Sequence, residues 1–318
     1  MSKHLISIMM ATLSMMAMAR KEVPGYLAAR RNGAEAQLRI CVVDEKGDAV
    51  SNASVNVFMG MNFRPKGYWI KGETDGSGTF LAQGKTCGDE IEIRLSKRGY
   101  YGSRRRICFA NIGQERDVED GKWLPYGATE RLRLRAIENP VALHQVGFGM
   151  GKDVPATNTW IGIDMAMGEF VNPYGKGMTV DFEVMVDWDG QPPPNSVYCA
   201  AKIRFAGQLS GGYYVAKVLE SEFPYVYRAH EGNDYGTRQL RVVGREKVPQ
   251  DRESLLGKDA ILVTRTRCAQ GENGTLKSAN YGFIRILSVD AGWNGSPTMR
   301  FAGVFNPTPN DTNLEPKR

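Results

Sequence analysis

The segment EIEIRL (90–95) alternates apolar and charged residues, so that Ile91, Ile93 and Leu95 share one side. Successive side chains of an extended strand point to opposite faces, and this alternation is therefore typical of a β-strand with one buried and one solvated face. The same period of two recurs in AQLRICVV (36–43), ASVNVFM (53–59) and TERLRLRAI (129–137). Because Gly-containing turn sequences separate these runs, we predict a small antiparallel β-sandwich over residues 36–137.

The second half of the chain shows the same kind of pattern. Eight further runs indicate strands: WIGIDMA (160–166), MTVDFEVMVDW (178–188), YCAAKIRFA (198–206), YYVAKVL (213–219), QLRVVG (239–244), AILVTRTRC (260–268), YGFIRILSV (281–289) and MRFAGVF (299–305). The Gly-rich stretch 146–159 is predicted to be a linker or loop, and only a short patch around 250–256 is helix-like. We therefore predict an all-β chain with a larger antiparallel domain over 141–307 and a Pro- and Asn-rich C-terminal tail or strap over 308–318.

The N-terminus has the features of an export signal. Lys3 and His4 precede an uncharged apolar run, and Ala17-Met18-Ala19 fits the small-x-small rule for signal peptidase. The run is too short to span a membrane as a helix and is followed by charged residues, although an uncleaved N-terminal anchor is the alternative. We predict a signal peptide over 1–19 and a periplasmic or extracellular mature chain with no transmembrane segment.

Composition narrows the class of protein further. The chain has 318 residues and a formal net charge of +6, which is compatible with a surface that meets acidic polymers but does not require one. Its length allows two domains with separate cores. Export permits disulfides, and an odd number of cysteines leaves at least one thiol unpaired. The disulfide candidates, with one bridge in each half as the expectation, are Cys41, Cys87, Cys108, Cys199 and Cys268.

The stretch TDGSGTF (74–80) carries oxygen-bearing side chains at alternate positions, as a calcium loop does. An EF-hand loop that began at Asp75 would need Gly at its sixth position and Glu at its twelfth, but Phe80 and Thr86 stand there. The glycines are instead placed to adopt positive φ in a hairpin turn. We predict a turn, and neither a metal site nor a cofactor.

The surroundings of that turn resemble a known domain. The order V-D-x-x-G-x-x-V-x-x-A-x-V-x-V (43–57), then T-D-G-x-G-x-F, then Gly99-Tyr100, is similar to the carboxypeptidase regulatory-like (transthyretin-like) domain over about 38–101. Thr86-Cys87-Gly88 stands where that family has a G-x-Y entry to the next strand. The resemblance implies a seven-stranded, non-catalytic sandwich that is often appended to another module.

Three segments of the second half also resemble parts of other proteins: GEFVNPYGKG (168–177), GTLKSANYGFI (274–284) and FNPTPNDTNLEP (305–316). The similar proteins are exported bacterial proteins that pair a regulatory-like domain with a larger β domain. This resemblance implies architecture and export, and it implies no site.

Catalytic motifs are incomplete. VGFGMGKD (146–153) lacks the spacing and the Ser/Thr of a P-loop, HEGND (230–234) lacks the second His of a zincin, and no G-x-S-x-G elbow occurs. A Cys/His enzyme remains open for Cys199 or Cys268 if either thiol lies near a histidine. The arginine runs have few neighbouring aromatics, so nucleic acid is not predicted as a partner and the arginines are expected on solvated faces.

Carboxylates and aromatics leave two further alternatives open. Asp181, Glu183, Asp187 and Asp189 would share one face of a strand, which is either a solvated face or part of a carboxylate-dependent hydrolase site. Three groups of aromatic residues are either core or a sugar-stacking surface: Tyr68-Trp69, Tyr213-Tyr214 and Tyr225/Tyr227. We expect the carboxylates to lie on a solvated face and the aromatic residues to lie in the core.

These observations predict an exported, non-enzymatic binding or assembly protein of the cell envelope or extracellular space, with a protein or glycan partner. The alternatives are a carbohydrate-binding accessory protein and a hydrolase that uses the carboxylates near Asp187.

Overall fold

The computed structural model describes residues 24–61, 66–88, 90–109, 117–149, 151–191, 195, 198–215, 226–236, 240–246, 260–292 and 296–317. The predicted signal peptide (1–19) and the helix-like patch (250–256) lie outside these ranges. The chain is nearly all-β, as predicted, with several antiparallel sheets and one short helix.

The elements follow one another in the order α1 (Pro24–Asn32), β1 (Ala34–Val43), β2 (Ser54–Met61), β3 (Lys66–Glu73), β4 (Thr79–Thr86), β5 (Glu90–Ser96), β6 (Tyr100–Tyr101), β7 (Ser103–Cys108), β8 (Val118–Glu119), β9 (Lys122–Trp123), β10 (Ala128–Arg133), β11 (Arg135–Ala136), β12 (His144–Gly147), β13 (Lys152–Asp153), β14 (Ile161–Asp164), β15 (Glu169–Phe170), β16 (Phe182–Trp188), β17 (Tyr198–Arg204), β18 (Gly211–Val215), β19 (Leu240–Glu246), β20 (Ile261–Gln270), β21 (Leu276–Asp290) and β22 (Thr298–Asn306). A 3-10 turn, Glu272–Gly274, joins β20 to β21.

The helix α1 was not expected from the sequence. It begins at Pro24, whose fixed φ suits the first helical position, and carries Arg30 and Arg31 in its last turn, where cations interact favourably with the helix dipole. Gly33, with φ of +81°, ends it, and its amide donates to Ala29 O at 2.8 Å. Nine residues give too few repeats for a 3.6-residue pattern to stand out from the strands around it.

The chain forms two compact units, which divide between Ile137 and Glu138. In unit 1, one sheet has the antiparallel order β3–β2–β5–β7. In the other sheet, β1 pairs antiparallel with β4 and parallel with β10. Apolar residues of both sheets form one core cluster, including Ile40, Val57 and Ile93, together with the fully buried Trp123. The alternation in the sequence therefore produces two sheets that bury their apolar faces against each other.

The predicted strand 129–137 is two strands. β10 pairs with β1, whereas β11 pairs with β6 in a separate two-stranded sheet. Leu134, between them, is fully buried. The side-chain alternation continues across this junction, so the hydrophobic pattern alone does not show where the chain changes partners.

Unit 2 contains two larger antiparallel sheets, β12–β22–β21–β20–β18 with β13 beside β22, and β15–β14–β16–β17–β19. Apolar residues of both sheets, among them Phe182, Ile203 and Phe301, form its main core. A second apolar cluster contains Val263 and Phe283 and includes the fully buried Leu314 from the C-terminal segment. That segment also joins the start of unit 2, because Glu315 accepts hydrogen bonds from the amides of Glu138 and Asn139.

The prediction of a loop over 146–159 was wrong in part. β12 and β13 lie at the start and middle of this region and pair with β22. Gly147 lies in β12 with φ of +143°, and a Cβ there would be 2.3 Å from Phe301 O. The glycine thus permits close approach of two strands. In the sequence alone, a glycine with this role cannot be told from a glycine in a loop.

Candidate anion-binding cleft

A cleft of about 220 Å³ lies along β10 of unit 1. Four consecutive strand residues, 130–133, contribute to its wall, together with Val43 of β1 and Arg105 of β7. Consecutive residues point to opposite faces of a strand, so a cleft that touches all four follows the strand's edge rather than either face. Among the strands that the structure describes, β10 and β7 each end the order of their sheet.

The folding of β10 determines which side chains reach the cleft. Leu132 is buried in the core with 1% exposure, and Leu134 beyond the strand is buried as well. Arg131 and Arg133 alternate with these leucines and therefore project from the opposite face. In the pairing of the two strands, Arg131 lies opposite Cys41 of β1 and Arg133 lies opposite Val43.

The cleft holds three guanidinium groups and one carboxylate. Arg105 pairs with Glu130 at 3.5 Å between Nη2 and Oε2. Arg131 Nη2 donates to the carbonyl oxygen of Gly47 at 3.3 Å. Within the described part of the chain, neither Arg131 nor Arg133 forms an ion pair, and Arg133 Nε is buried without a hydrogen-bond partner.

Four other arginines of the same unit pair with carboxylates of their own chain. Arg94 and Arg104 both pair with Glu92, and Arg106 pairs with Glu90. Burial alone would raise the pKa of Glu92, but the hydrogen bonds from Arg94 and Arg104 outweigh burial and lower that pKa. Arg135 likewise pairs with Glu45 at 3.2 Å. Arg131 and Arg133 differ from these four arginines, because they have no carboxylate partner within the described part of the chain.

This arrangement suits an oxyanion. Guanidinium groups present planar pairs of donors that match the oxygens of a carboxylate, phosphate or sulfate group. A buried donor without an acceptor destabilises the protein by about 1–3 kcal/mol. Sequence reasoning placed these arginines on solvated faces by default. Spacing along the chain does not show which arginines lie near a carboxylate.

The TDGSG stretch is the predicted turn between β3 and β4. Asp75 Oδ1 accepts hydrogen bonds from the amides of Ser77 and Thr79, each at 2.9 Å, and from Ser77 Oγ at 2.7 Å. The Ser77 hydroxyl is the leading cause that lowers the pKa of Asp75. Gly78 has φ of +74°, as the turn requires. The oxygens that suggested a calcium loop are thus hydrogen-bonded to the turn itself.

The prediction that four carboxylates share a solvated face was wrong for Asp181. Residue 181 precedes β16 and is 1% exposed, and its carboxylate accepts a hydrogen bond from Arg267 Nε at 2.9 Å. Glu183 and Asp187 do lie on the outer face of β16, where they pair with Arg204 and Lys202.

Asp189 lies beyond β16, in the turn to β17. It accepts hydrogen bonds from the amides of Gln191 at 3.1 Å and Tyr198 at 2.9 Å. The four carboxylates therefore have different partners: an arginine in the unit's interior, two cross-strand cations and a turn backbone.

The cysteines differ in exposure and in the charges that surround them. All five cysteines lie among the described residues, and their disulfide pairing stays a prediction. Burial, with the charges of Asp290 and Asp189, raises the pKa of Cys199 to about 12. Burial also raises the pKa of Cys268, although a hydrogen bond with Ser210 opposes the shift.

His230 faces polar and aromatic groups of its own loop and of β18. Its Nε2 lies 2.6 Å from Asp234 Oδ1, and its ring stacks on Tyr213 at 4.3 Å. His144 Nδ1 lies 2.9 Å from Ala166 O. In the described ranges, no group of three or more His, Cys, Asp or Glu side chains is placed to hold a metal ion.

The aromatic candidates are divided between core and surface. Tyr227 is buried, and Tyr213 is half-buried under His230. Tyr68 of unit 1 and Tyr214 of unit 2 are exposed by 40% and 52%. Tyr225 lies outside the described residues. Within the described residues, each exposed tyrosine has a partly buried aromatic neighbour, Trp69 beside Tyr68 and Tyr213 beside Tyr214.

No family model and no curated protein matches the chain. Distant structural similarity links it to 3-chlorocatechol 1,2-dioxygenase from Rhodococcus opacus 1CP, with 12% identity and a TM-score of 0.26 over 34% of this chain and 62% of that one. Wild-type catechol 1,2-dioxygenase from Acinetobacter radioresistens gives 11% identity and a TM-score of 0.27 over 35% and 55%. The chain spans less than two thirds of these proteins, and similarity at this level supports no functional conclusion. No helix in the described residues is long and apolar enough to cross a membrane.

Proposed function

We propose that this chain is an exported, non-enzymatic binding or assembly protein whose unit 1 binds an anionic group of its partner in the cleft along β10. The observation that carries the proposal is the absence of a carboxylate partner for Arg131 and Arg133 within the described residues, with Arg133 Nε buried and unpaired. A ligand carboxylate, phosphate or sulfate would supply the anionic partner that these two guanidinium groups lack within the described residues.

The carbohydrate-binding alternative can use the same cleft if the glycan is acidic. A uronate or sulfate group offers guanidinium the same pair of oxygens as a glutamate side chain. An anionic partner, either protein or glycan, is therefore the shared expectation. The charge on the partner is the property to test first.

The test measures binding of the purified chain to immobilised polyglutamate and polygalacturonate, with neutral dextran as the reference. We expect R131Q/R133Q to weaken binding to an anionic polymer by at least about tenfold, because two charge-assisted contacts are lost. The matched control is R104Q/R106Q, which removes the same charge from arginines that already pair with Glu92 and Glu90. We expect the control to change affinity by less than about threefold at physiological salt, where exposed charges are screened.

Equal losses in the two double variants would contradict the proposal, since they would show attraction to net charge rather than to the cleft. Binding to neither polymer by the unmodified chain would also contradict it. Circular dichroism and urea unfolding of each variant establish that the fold is retained.

A further inference from the structure

The outer edge of β10 offers backbone hydrogen-bonding groups as well as charge. The amide just beyond the strand, Leu134 N, donates to Val43 O of β1 at 2.8 Å. Neighbouring residues of a strand direct their N–H and C=O groups to opposite sides. The backbone groups of Arg131 and Arg133 therefore point away from β1, toward the edge along which the cleft lies. Among the described strands, β1 alone pairs with β10.

An open strand edge is a template for another extended chain. A strand that pairs with β10 would lie about 4.8 Å from it, and backbone hydrogen bonds would provide affinity independently of side chains. Proteins usually cover or charge such edges to prevent unwanted pairing. Here the edge combines a cleft with arginines, which favours an acidic strand over others.

We infer that the cleft accepts an extended acidic peptide, which adds to the sheet beside β10 and places alternate carboxylates against Arg131 and Arg133. This inference rests on the proposed function and specifies its partner. The two arginines are two residues apart on one strand, about 6.6–6.8 Å, and side chains at i and i+2 of a second strand have the same spacing.

Glu130, on the other wall of the cleft, determines which positions of the peptide can be acidic. Glu130 projects from the face opposite to the two arginines, beside Arg105. An acidic side chain next to Glu130 would be repelled, because like charges on facing strands are destabilising. The preferred peptide therefore carries acids on one face and neutral residues on the other. An acidic glycan would meet the charge but has no peptide backbone to pair with β10.

The experiment uses the purified full chain and a fluorescein-labelled octapeptide of alternating Thr and Glu, with binding followed by fluorescence anisotropy. Two isomers carry backbone N-methyl groups, one on every Glu and the other on every Thr. Each isomer blocks the amides along one edge of the extended peptide only. We expect one isomer to bind at least about tenfold more weakly than the parent and the other to bind within about threefold, because only one edge faces β10.

Further outcomes separate this inference from the proposed function. If both isomers bind as the parent does, or both lose binding equally, strand addition is wrong. If polygalacturonate binds and the parent peptide does not, the partner is a glycan and only this inference fails. If neither binds, the proposed function fails as well. A Thr/Lys peptide should not bind. R131Q/R133Q should lower affinity for the parent peptide by at least about tenfold, with R104Q/R106Q as the control.

Discussion

Replacement of Asp164 in unit 2 tests whether a buried carboxylate holds the segment that follows β14. Asp164 is 2% exposed. Its two oxygens accept five hydrogen bonds, from the amides of Ala166 (3.0 Å), Met167 (3.2 Å), Met178 (3.0 Å) and Thr179 (3.1 Å) and from Arg267 Nη2 (2.8 Å). One side chain thus fixes both ends of the stretch between 166 and 179.

Asp164→Ala should lower the free energy of unfolding by about 3 kcal/mol. Removal of one member of a buried ion pair destabilises a protein by about 3–5 kcal/mol. Arg267 keeps its second partner, Asp181, through Nε at 2.9 Å, so the lower end of that range applies. Asp164→Asn retains one acceptor oxygen and should lose about 1–2 kcal/mol. The control Asp187→Ala removes a partly exposed pair with Lys202 on the outer face of β16 and should lose about 1 kcal/mol or less.

Urea unfolding followed by circular dichroism supplies the measurement, with ΔΔG taken from midpoint shifts at an unchanged slope. Hydrogen exchange gives a local readout, because the amides of Met178 and Thr179 should lose protection in Asp164→Ala. If Asp164→Ala is no less stable than Asp187→Ala, the five hydrogen bonds do not stabilise the unit and this reasoning is refuted.

The same carboxylate predicts a pH dependence. Burial alone would raise the pKa of Asp164, but backbone hydrogen bonds, chiefly from Met178 and Thr179, and the charge of Arg267 together lower it. A carboxyl with a lower pKa in the folded state stabilises the protein above its unfolded pKa of about 3.9, and this stabilisation is lost as pH falls through the folded pKa. Below about pH 4, the native chain should therefore lose stability more steeply than Asp164→Asn.

Two further predictions concern the turn and the buried thiol. Gly78→Ala should destabilise the chain by at least about 1 kcal/mol in urea unfolding, because φ at this position is +74° and the new Cβ would lie 2.6 Å from Val42 O. The control Gly76→Ala places its Cβ in open space and should change stability by less than about 0.5 kcal/mol. Equal losses of stability in Gly78→Ala and Gly76→Ala would contradict this explanation of the turn. Cys199, whose pKa burial raises to about 12, should react with iodoacetamide at pH 8 far more slowly than the exposed Cys108, as judged by mass spectrometry of the native chain. Comparable labelling of both would contradict the burial of Cys199.

The sequence predicted the strands because alternate side chains of a strand point to the same face, and the apolar ones face the core. Ile91, Ile93 and Leu95 of β5 are all buried, as their spacing requires. It did not predict that β10 runs parallel to β1 or that β11 joins a different sheet, since side-chain faces carry no information about which neighbour a strand chooses.

Asp181 shows why alternation fails at the end of a strand. Alternation counted back from Glu183 places Asp181 on the solvated face, but β16 begins only at Phe182. The amide of Asp181 still donates to Ile163 O of β14 at 2.9 Å, but the residue precedes the regular strand, so the side-chain alternation of β16 does not extend to it. The side chain turns inward toward Arg267, which is 86 residues away and has φ of +51° beside a bulge in β20. A contact of that separation leaves no periodic trace in the sequence.

Arg267 and Arg133 show how the same residue type serves two purposes. Arg267 is surrounded by acceptors of its own chain, Asp164 and Asp181, and lies over Phe305, so its charge is used within the fold. Arg133 has a buried Nε with no acceptor in the described part of the chain. Such a group lowers stability, and exceptions of this kind in native proteins call for an explanation, which is often functional. Within the described residues, Arg267 has two carboxylate partners and Arg133 has none, and this difference directs the binding proposal to β10 rather than to the buried cluster of unit 2.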